Sequence, residues 1–244
     1  MSEAALQVLP TSRATGAEQM AVDDGLLECA RVVVARRYLW APPALSLGRF
    51  QTADGCLTGA PGHEGDLPFD LVRRPSGGRA VLHGEGFEWS FAVVFPAGSL
   101  PGQRVHDAYA LVSGAWADTL AAAGVRLDAG REEPYRRSAL CFATSLRYDL
   151  LAGSQKVLAV AQVKRRGAAL VHGSVLERRP PDHLVAAVER LLGEPWRGEG
   201  LAAVGDGVDG EVLWSGFCAR LSARLAPHGA RDSAVHVGAT MEAQ

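Results

Sequence analysis

The feature that most restricts how this chain can fold is the segment 145–176, SLRYDLLAGSQKVLAVAQVKRRGAALVHGSVL, in which apolar stretches follow one another across short turns at Gly153 and Gly167. Connections that short join antiparallel neighbours, because a parallel return needs a dozen or more residues. Two further stretches, AVL at 80–82 and WSFAVVF at 89–95, flank a glycine-rich connection and predict another strand pair. The β-branched and aromatic run VVVARRYLW at 32–40 predicts a strand leading into a Pro/Gly turn. Apolar residues with helical recurrence mark 17–30, 103–123 with Gly124 as its stop, 182–193 with Asp182 as N-cap and Gly193 as its stop, and EVLWSGFCARLSARLA from Glu211. VRLD after Gly124 is a short strand candidate, and TADGCLTGAPGHEGDLP and REEPYRRSA are polar loops. The pattern predicts a mixed α+β fold, largely antiparallel β-sheets flanked by helices, without the βαβ rhythm of a doubly wound sheet. A single domain over residues 1–230 is expected, with 231–244 as a flexible C-terminal tail.

No apolar run approaches the roughly 20 residues that cross a bilayer. The start, MSEAALQVLPTSR, lacks the basic and apolar regions of a secretory signal, so a soluble, cytoplasmic protein is the expectation. A net charge of -2 favours neither nucleic acid nor an anionic membrane as partner. Cys29, Cys56, Cys141 and Cys218 lie far apart without a CxxC pair, which predicts neither a metal site nor a disulfide scaffold. Only two of the 25 basic side chains are lysines, Lys156 and Lys164. Lysine, unlike arginine, can lose its proton when buried, so each invites inspection.

Three segments carry candidate chemistry. In RRPSGGRAVLH at 73–83, Gly77 and Gly78 let the backbone approach a ligand closely, and Arg73, Arg74 and Arg79 can pair with anionic groups. The same residues also read as a tight turn with solvated arginines, and they match neither the phosphate loop nor the dinucleotide fingerprint. The second segment, SALCFATS at 138–145, contains Cys141. The third is SQKVLAVAQ at 154–162, running on to LVHGS at 170–174. A cysteine beside a positive charge has its thiolate favoured, and a thiolate attacks thioesters readily. Taken singly, Cys141 reads as a small core residue, Lys156 as a surface charge and His172 as a core histidine with its ring satisfied.

Together and in order, the segments closely resemble the lipoate-assembly branch of the biotin/lipoate ligase superfamily. Its members carry RRxTGGRAVLH-like, ACFxxPSxYEL-like, GxKxxGSAQ and LxHGS segments; here these stand as RRPSGGRAVLH, ALCFATSLRYDL, SQKVLAVAQ and LVHGS. Upstream, GAEQMAVDDGLL resembles the family's early helix and SLGRFQ its early strand, so the resemblance spans roughly residues 14 to 180. It implies the biotin/lipoate ligase catalytic-domain fold. Arg79 stands where ATP-dependent lipoate ligases have a third glycine, and Cys141 stands at the nucleophile of the Cys-dependent octanoyltransferases. Three places depart from the pattern: Ala159-Val160-Ala161-Gln162 replaces GSAQ, Thr144-Ser145 replaces PS, and GEGFEWSF follows His83 where relatives read closer to ELTYS.

The resemblance implies an acyltransferase. Cys141 would take an octanoyl or lipoyl group from acyl carrier protein and pass it to a lysine of a lipoyl domain or glycine-cleavage H protein. No cofactor is implied; ATP and Mg would enter only in a ligase working through lipoyl-AMP, and a non-catalytic relative that binds lipoyl domains or fatty acids is a further alternative. Lys156 is implied to contact the acyl carbonyl or to deprotonate the incoming amine. Its chemistry leaves two roles open, a cation beside the thiolate or a base whose proton is loosened by burial. Arg73, Arg74, Ser76, Gly77, Gly78, Arg79, Ala80, His83, Ala159, Gln162, His172 and Gly173 are implied to surround the substrate. Backbone N–H groups of the Gly77-Gly78 or His172-Gly173 loops are candidates for the oxyanion site. Arg73, Arg74, Arg79, Lys164, Arg165 and Arg166 are candidates for receiving an acidic carrier.

Overall fold

The computed structural model describes residues 6–51, 67–100, 105–127, 138–143, 147–153, 155–201 and 209–226. Most of the two expected polar loops and the whole expected tail lie outside the described residues. In chain order the elements are β1 (Leu6–Val8), β2 (Ser12–Ala14), α1 (Gly16–Cys29), β3 (Val33–Trp40), β4 (Ala44–Leu47), β5 (Asp70–Arg73), β6 (Val81–His83), β7 (Glu88–Phe95), α2 (Val105–Ala122), β8 (Leu150–Ala152), β9 (Gln155–Arg165), β10 (Ala168–Leu176), α3 (Asp182–Leu192) and α4 (Gly210–Leu225).

The long strand segment folds as its turns require. β8, β9 and β10 are successive antiparallel neighbours, and Gly153 (φ 62°) and Gly167 (φ 85°) take the left-handed conformation at the two reversals. β10 continues antiparallel to β7, and β7 to β3, giving the order β1-β3-β7-β10-β9-β8 with β2 also on β3. A second sheet, β5-β4-β6, stands apart. The fold is therefore mixed α+β and largely antiparallel; the parallel pairs are β1 and β2 on β3, and β5 on β4.

Strand alternation divides β7 between two environments. Trp89, Phe91, Val93 and Phe95 are buried in the core under α2 and α4, where Trp116 and Phe217 stack 4.3 Å apart. Glu88, Ser90, Ala92 and Val94 face the other way, and β10 sets His172 opposite Ala92 and Ser174 opposite Ser90. That second face is roofed by α1 and by the small sheet. α1 is started by a reciprocal cap in which Thr15 accepts the Glu18 N–H while the Glu18 carboxylate accepts from Thr15.

Two local expectations are corrected. Asp182 does not cap α3: Pro181 holds that place with no side-chain bond, its fixed φ already suiting a helix start. The expected VRLD strand is absent over its described residues 125–127; behind Gly124 the Val125 N–H turns back to Leu120 O and closes the helix end. Gly193 does end α3, at φ 67°.

Candidate active site

Cys141 opens a single 3₁₀ turn, Cys141–Ala143, and its segment is stitched to the glycine loop. Ala80 and Leu140 form a parallel bridge in which the Ala80 N–H donates to Ala139 O (2.8 Å) and the Cys141 N–H to Ala80 O (2.9 Å). Glu194 accepts from Ser138 Oγ (2.5 Å) and the Ala139 N–H (2.8 Å), and Gln51 Nε2 donates to Ala139 O (3.1 Å). The Cys141 segment and the loop 75–79 thus form one piece.

Lys156, at the start of β9, is 4% exposed. Its Nζ donates to Cys141 O at 2.7 Å and to Asp149 Oδ2 at 2.7 Å, and lies 3.7 Å from Cys141 Sγ. Burial works to lower the Lys156 pKa, but the charges and hydrogen bonds of Cys141 and Asp149 outweigh it and raise the group above its ordinary 10.5. Lys156 is therefore neither a surface charge nor a base loosened by burial; it is a buried ammonium. The Asp149 carboxylate that makes the difference was not singled out from the sequence. The other described cysteines have different surroundings. Cys29 is exposed and bonded to Gly25 O, and burial pushes the Cys218 thiol to about 12. Cys56 lies outside the described residues.

The arginines of the glycine loop hold the loop itself. Arg74 is buried, and its guanidinium donates to the carbonyls of Gly77, Arg79 (2.6 Å) and Ser46 (3.0 Å) and to Ser46 Oγ (3.1 Å). Desolvation lowers its pKa while the nearby Cys141 charge opposes the change. Arg73 donates to the carbonyls of Gly48, Arg49 and Gln51. The solvated-turn expectation fails for buried Arg74, while Arg73 stays exposed as it holds the turn beside the loop. The loop also presses on the end of β4 so closely that a Cβ at Gly48 would lie 2.0 Å from Gly78 O, and Gly78 itself has φ 95°.

Two histidines complete the opposite wall. His172 Nδ1 is 3.1 Å from Asp23 Oδ2, and its Nε2 shares a 2.6 Å hydrogen bond with Ser76 Oγ. Asp23 also accepts from Tyr38 Oη (3.2 Å) and pairs with Arg36 Nε (3.1 Å). His83 Nδ1 is 2.9 Å from Glu88 Oε1 and Nε2 is 2.8 Å from Ser46 Oγ, while the ring stacks on Trp40 at 4.0 Å. Ser90 and Ser174 both donate to Glu88. The expected His172-Gly173 loop is in fact the middle of β10, paired with β7 on one side and β9 on the other, so its N–H groups belong to the ladder and not to an oxyanion site. The Cys141 N–H is likewise committed, to Ala80.

These walls enclose a cavity of about 320 Å³. Of the sequence-selected residues it brings together Cys141, Lys156, Arg74, Gly78, Arg79, His83, Ala159, His172 and Gly173. Arg73, Ser76, Gly77, Ala80 and Gln162 are not on its surface, and Ser76 and Ala80 act from behind it. Lys164 and Arg165 end β9, roughly 25–30 Å along the strand from Lys156, and Arg166 is in the turn beyond; the three do not join the loop arginines. Met20, Trp40, Val81, Ala159, Val160 and Ala161 supply apolar lining, and the serines, histidines and Arg74 on the wall are bonded to protein partners. Among the described residues no cluster of His, Cys, Asp or Glu is placed to hold a metal ion, and no helix is long and apolar enough to cross a membrane.

A half-buried cysteine, a buried ammonium and an apolar slot between two sheets make up the site, and solved structures share the fold. Lipoate-protein ligase A bound with ATP superposes with a TM-score of 0.69 at 20% identity, covering 92% of this chain and 86% of that one. The bipartite lipoate protein ligase of Thermoplasma acidophilum gives 0.66 at 18% identity, covering 92% and 84%. The octanoyltransferase LipM of Kyrpidia tusciae is 33% identical over 199 residues, 75% of this chain and 69% of that protein. The octanoyltransferase LipM of Symbiobacterium thermophilum is 34% identical over 187 residues, 70% and 64%. This chain thus spans about two thirds of the length of the LipM proteins it matches. The family described as Lipoyl protein ligase A/B catalytic domain matches residues 15–200, and the chain belongs to that family.

Proposed function

We propose that this chain is an octanoyltransferase that carries an octanoyl group from acyl carrier protein, through a thioester on Cys141, to a lysine ε-amine of a lipoyl domain or glycine-cleavage H protein. The observation that carries it is the Lys156 ammonium 3.7 Å from Cys141 Sγ at the wall of an apolar cavity. The names of the relatives support octanoyl transfer.

In the first half-reaction the Cys141 thiolate, its charge matched by Lys156, attacks the donor carbonyl. The C–S bond to the carrier breaks, and the released thiolate takes a proton from solvent. In the second, the neutral ε-amine attacks the Cys141 thioester, the C–Sγ bond breaks, Cys141 leaves again as thiolate, and the amine proton passes to solvent. Lys156 stays protonated and donates to the carbonyl oxygen as it becomes an oxyanion, a kind of contact whose removal costs about 3 kcal/mol in other enzymes. A thioester becomes an amide, so the transfer needs no nucleotide. The proposal assigns residues 1–230 to one catalytic unit acting in the cytoplasm.

The test is to incubate the protein with octanoyl carrier protein and apo H protein without ATP and weigh all three. Octanoyl should appear on Cys141 and then on the acceptor, and Cys141→Ala should abolish both. Activity that survives Cys141→Ala, or that requires ATP and free lipoate, would favour the ligase chemistry instead.

A further inference from the structure

Asp149 is 2% exposed and takes no part in the transfer just described. Its Oδ2 holds Lys156 Nζ at 2.7 Å, and its Oδ1 accepts the Val160 N–H at 3.3 Å, which ties the pair to β9. An ammonium has three protons to place, and here it finds Asp149, Cys141 O and, at longer range, Cys141 Sγ. A neutral amine would have a lone pair to place, and neither a carbonyl nor a carboxylate can donate to it.

Acylation changes this balance. Once Cys141 is a thioester it can no longer carry a negative charge, so one of the two groups that favour the Lys156 ammonium against burial is lost. Asp149 is then the one charged partner left, beside the Cys141 carbonyl. The acyl carbon is then bonded to a sulfur 3.7 Å from Nζ, within reach of that nitrogen. If Lys156 lost its proton, its lone pair would bond to the acyl carbon, the C–Sγ bond would break, Cys141 would depart as thiol with the proton from nitrogen, and an amide would remain on Lys156. That product is a dead end.

We infer that Asp149 is a positioning residue that keeps Lys156 an ammonium in the acyl-enzyme, and so reserves the acyl group for the incoming amine. The inference rests on the Cys141 thioester proposed above. Of the other ionisable groups around the corner, Tyr109 from α2 is held neutral by burial, its pKa raised to about 12. Arg74 from the glycine loop has its hydrogen bonds on loop and β4 carbonyls. His172, across the cavity, is bound to Asp23 and Ser76, so none of the three replaces the carboxylate.

Because the chain has only Lys156 and Lys164, ¹³Cε-lysine labelling gives two signals to follow with pH, and Lys164→Arg assigns them. Asp149→Asn should lower the Lys156 midpoint by about one pH unit or more, and Asp149→Glu should restore it. After loading with an octanoyl-pantetheine thioester, peptide mapping of Asp149→Asn should find a hydroxylamine-resistant octanoyl group on Lys156 that wild type and Asp149→Glu lack. The wild-type acyl-enzyme, jumped briefly to about pH 11, should show the same migration, so the test survives a variant that does not fold. An unmoved midpoint in Asp149→Asn, or a Lys156 that stays unacylated in that variant and after the jump while Cys141 is loaded, overturns the inference. A wild-type Cys141 that never takes the octanoyl group would sink the transferase proposal instead.

Discussion

The two walls of the cavity are built from the same materials and behave differently. On one, His83 sits on Glu88 and His172 on Asp23; on the other, Lys156 sits on Asp149. Each pair is a buried base against a buried carboxylate. On the histidine wall every ring nitrogen ends on a fixed protein atom, because Ser46 and Ser76 take the second nitrogens. On the lysine wall the ammonium has one direction left, and it points at a sulfur that is only half-buried. Under the proposed transfer, what separates a structural pair from a reactive one is whether the last partner is part of the scaffold or is an atom that can change its bonds.

That contrast can be broken by exchanging its parts, beginning with the largest effect. Lys156→Met should slow transfer by about a hundredfold or more and, by leaving Asp149 a buried uncompensated charge, lower urea stability by about 3 kcal/mol. Because the folded pKa of Lys156 is raised, the stability this ion pair gives is fully present below about pH 10 and is lost as pH rises through the folded value. Wild type should therefore show an alkaline loss in urea titrations that Lys156→Met lacks. Glu88→Gln, on the histidine wall, should lower stability by about 2–3 kcal/mol while turnover per folded molecule stays within about threefold. A collapse of Cys141 loading in that variant would mean the two walls are not separate. Ser76→Ala should lower stability by about 1–2 kcal/mol, since the His172 Nε2 loses its partner. Thr15→Ala, remote from both walls, should lower it by about 1 kcal/mol with no change in loading.

The parts of the molecule that repeat locally are the parts a sequence displays. Gly153 and Gly167 announce their reversals, and the apolar recurrence of 103–123 announces α2, because each is decided within a few residues of chain. β1 and β2 are three residues each and pair with β3 across the chain, so no period betrays them. Cys141 and Lys156 are visible through motif order. Asp23, Glu88 and Asp149 are not, because each earns its importance from burial beside a base, and a pattern of apolar residues is silent about an acid inside it. The one available signal was the RYDL segment, where Asp149 stands in the place of the glutamate in the YEL that it resembles. Arg73 and Arg74 carry a second role that their charge does not display: the carbonyls they hold lie in the loop itself and in the strand and turn beside it.

The contact between Gly48 and the Gly78 carbonyl decides where the slot can be remodelled. With only 2.0 Å for a Cβ on one side, and Arg74 clasping the carbonyls on the other, that wall has no spare volume and no hinge. Anyone seeking to widen the range of acids accepted would gain nothing there. The adjustable surface is the opposite strand, where the Ala159 methyl meets the cavity and a return to glycine would add room without disturbing the clasp.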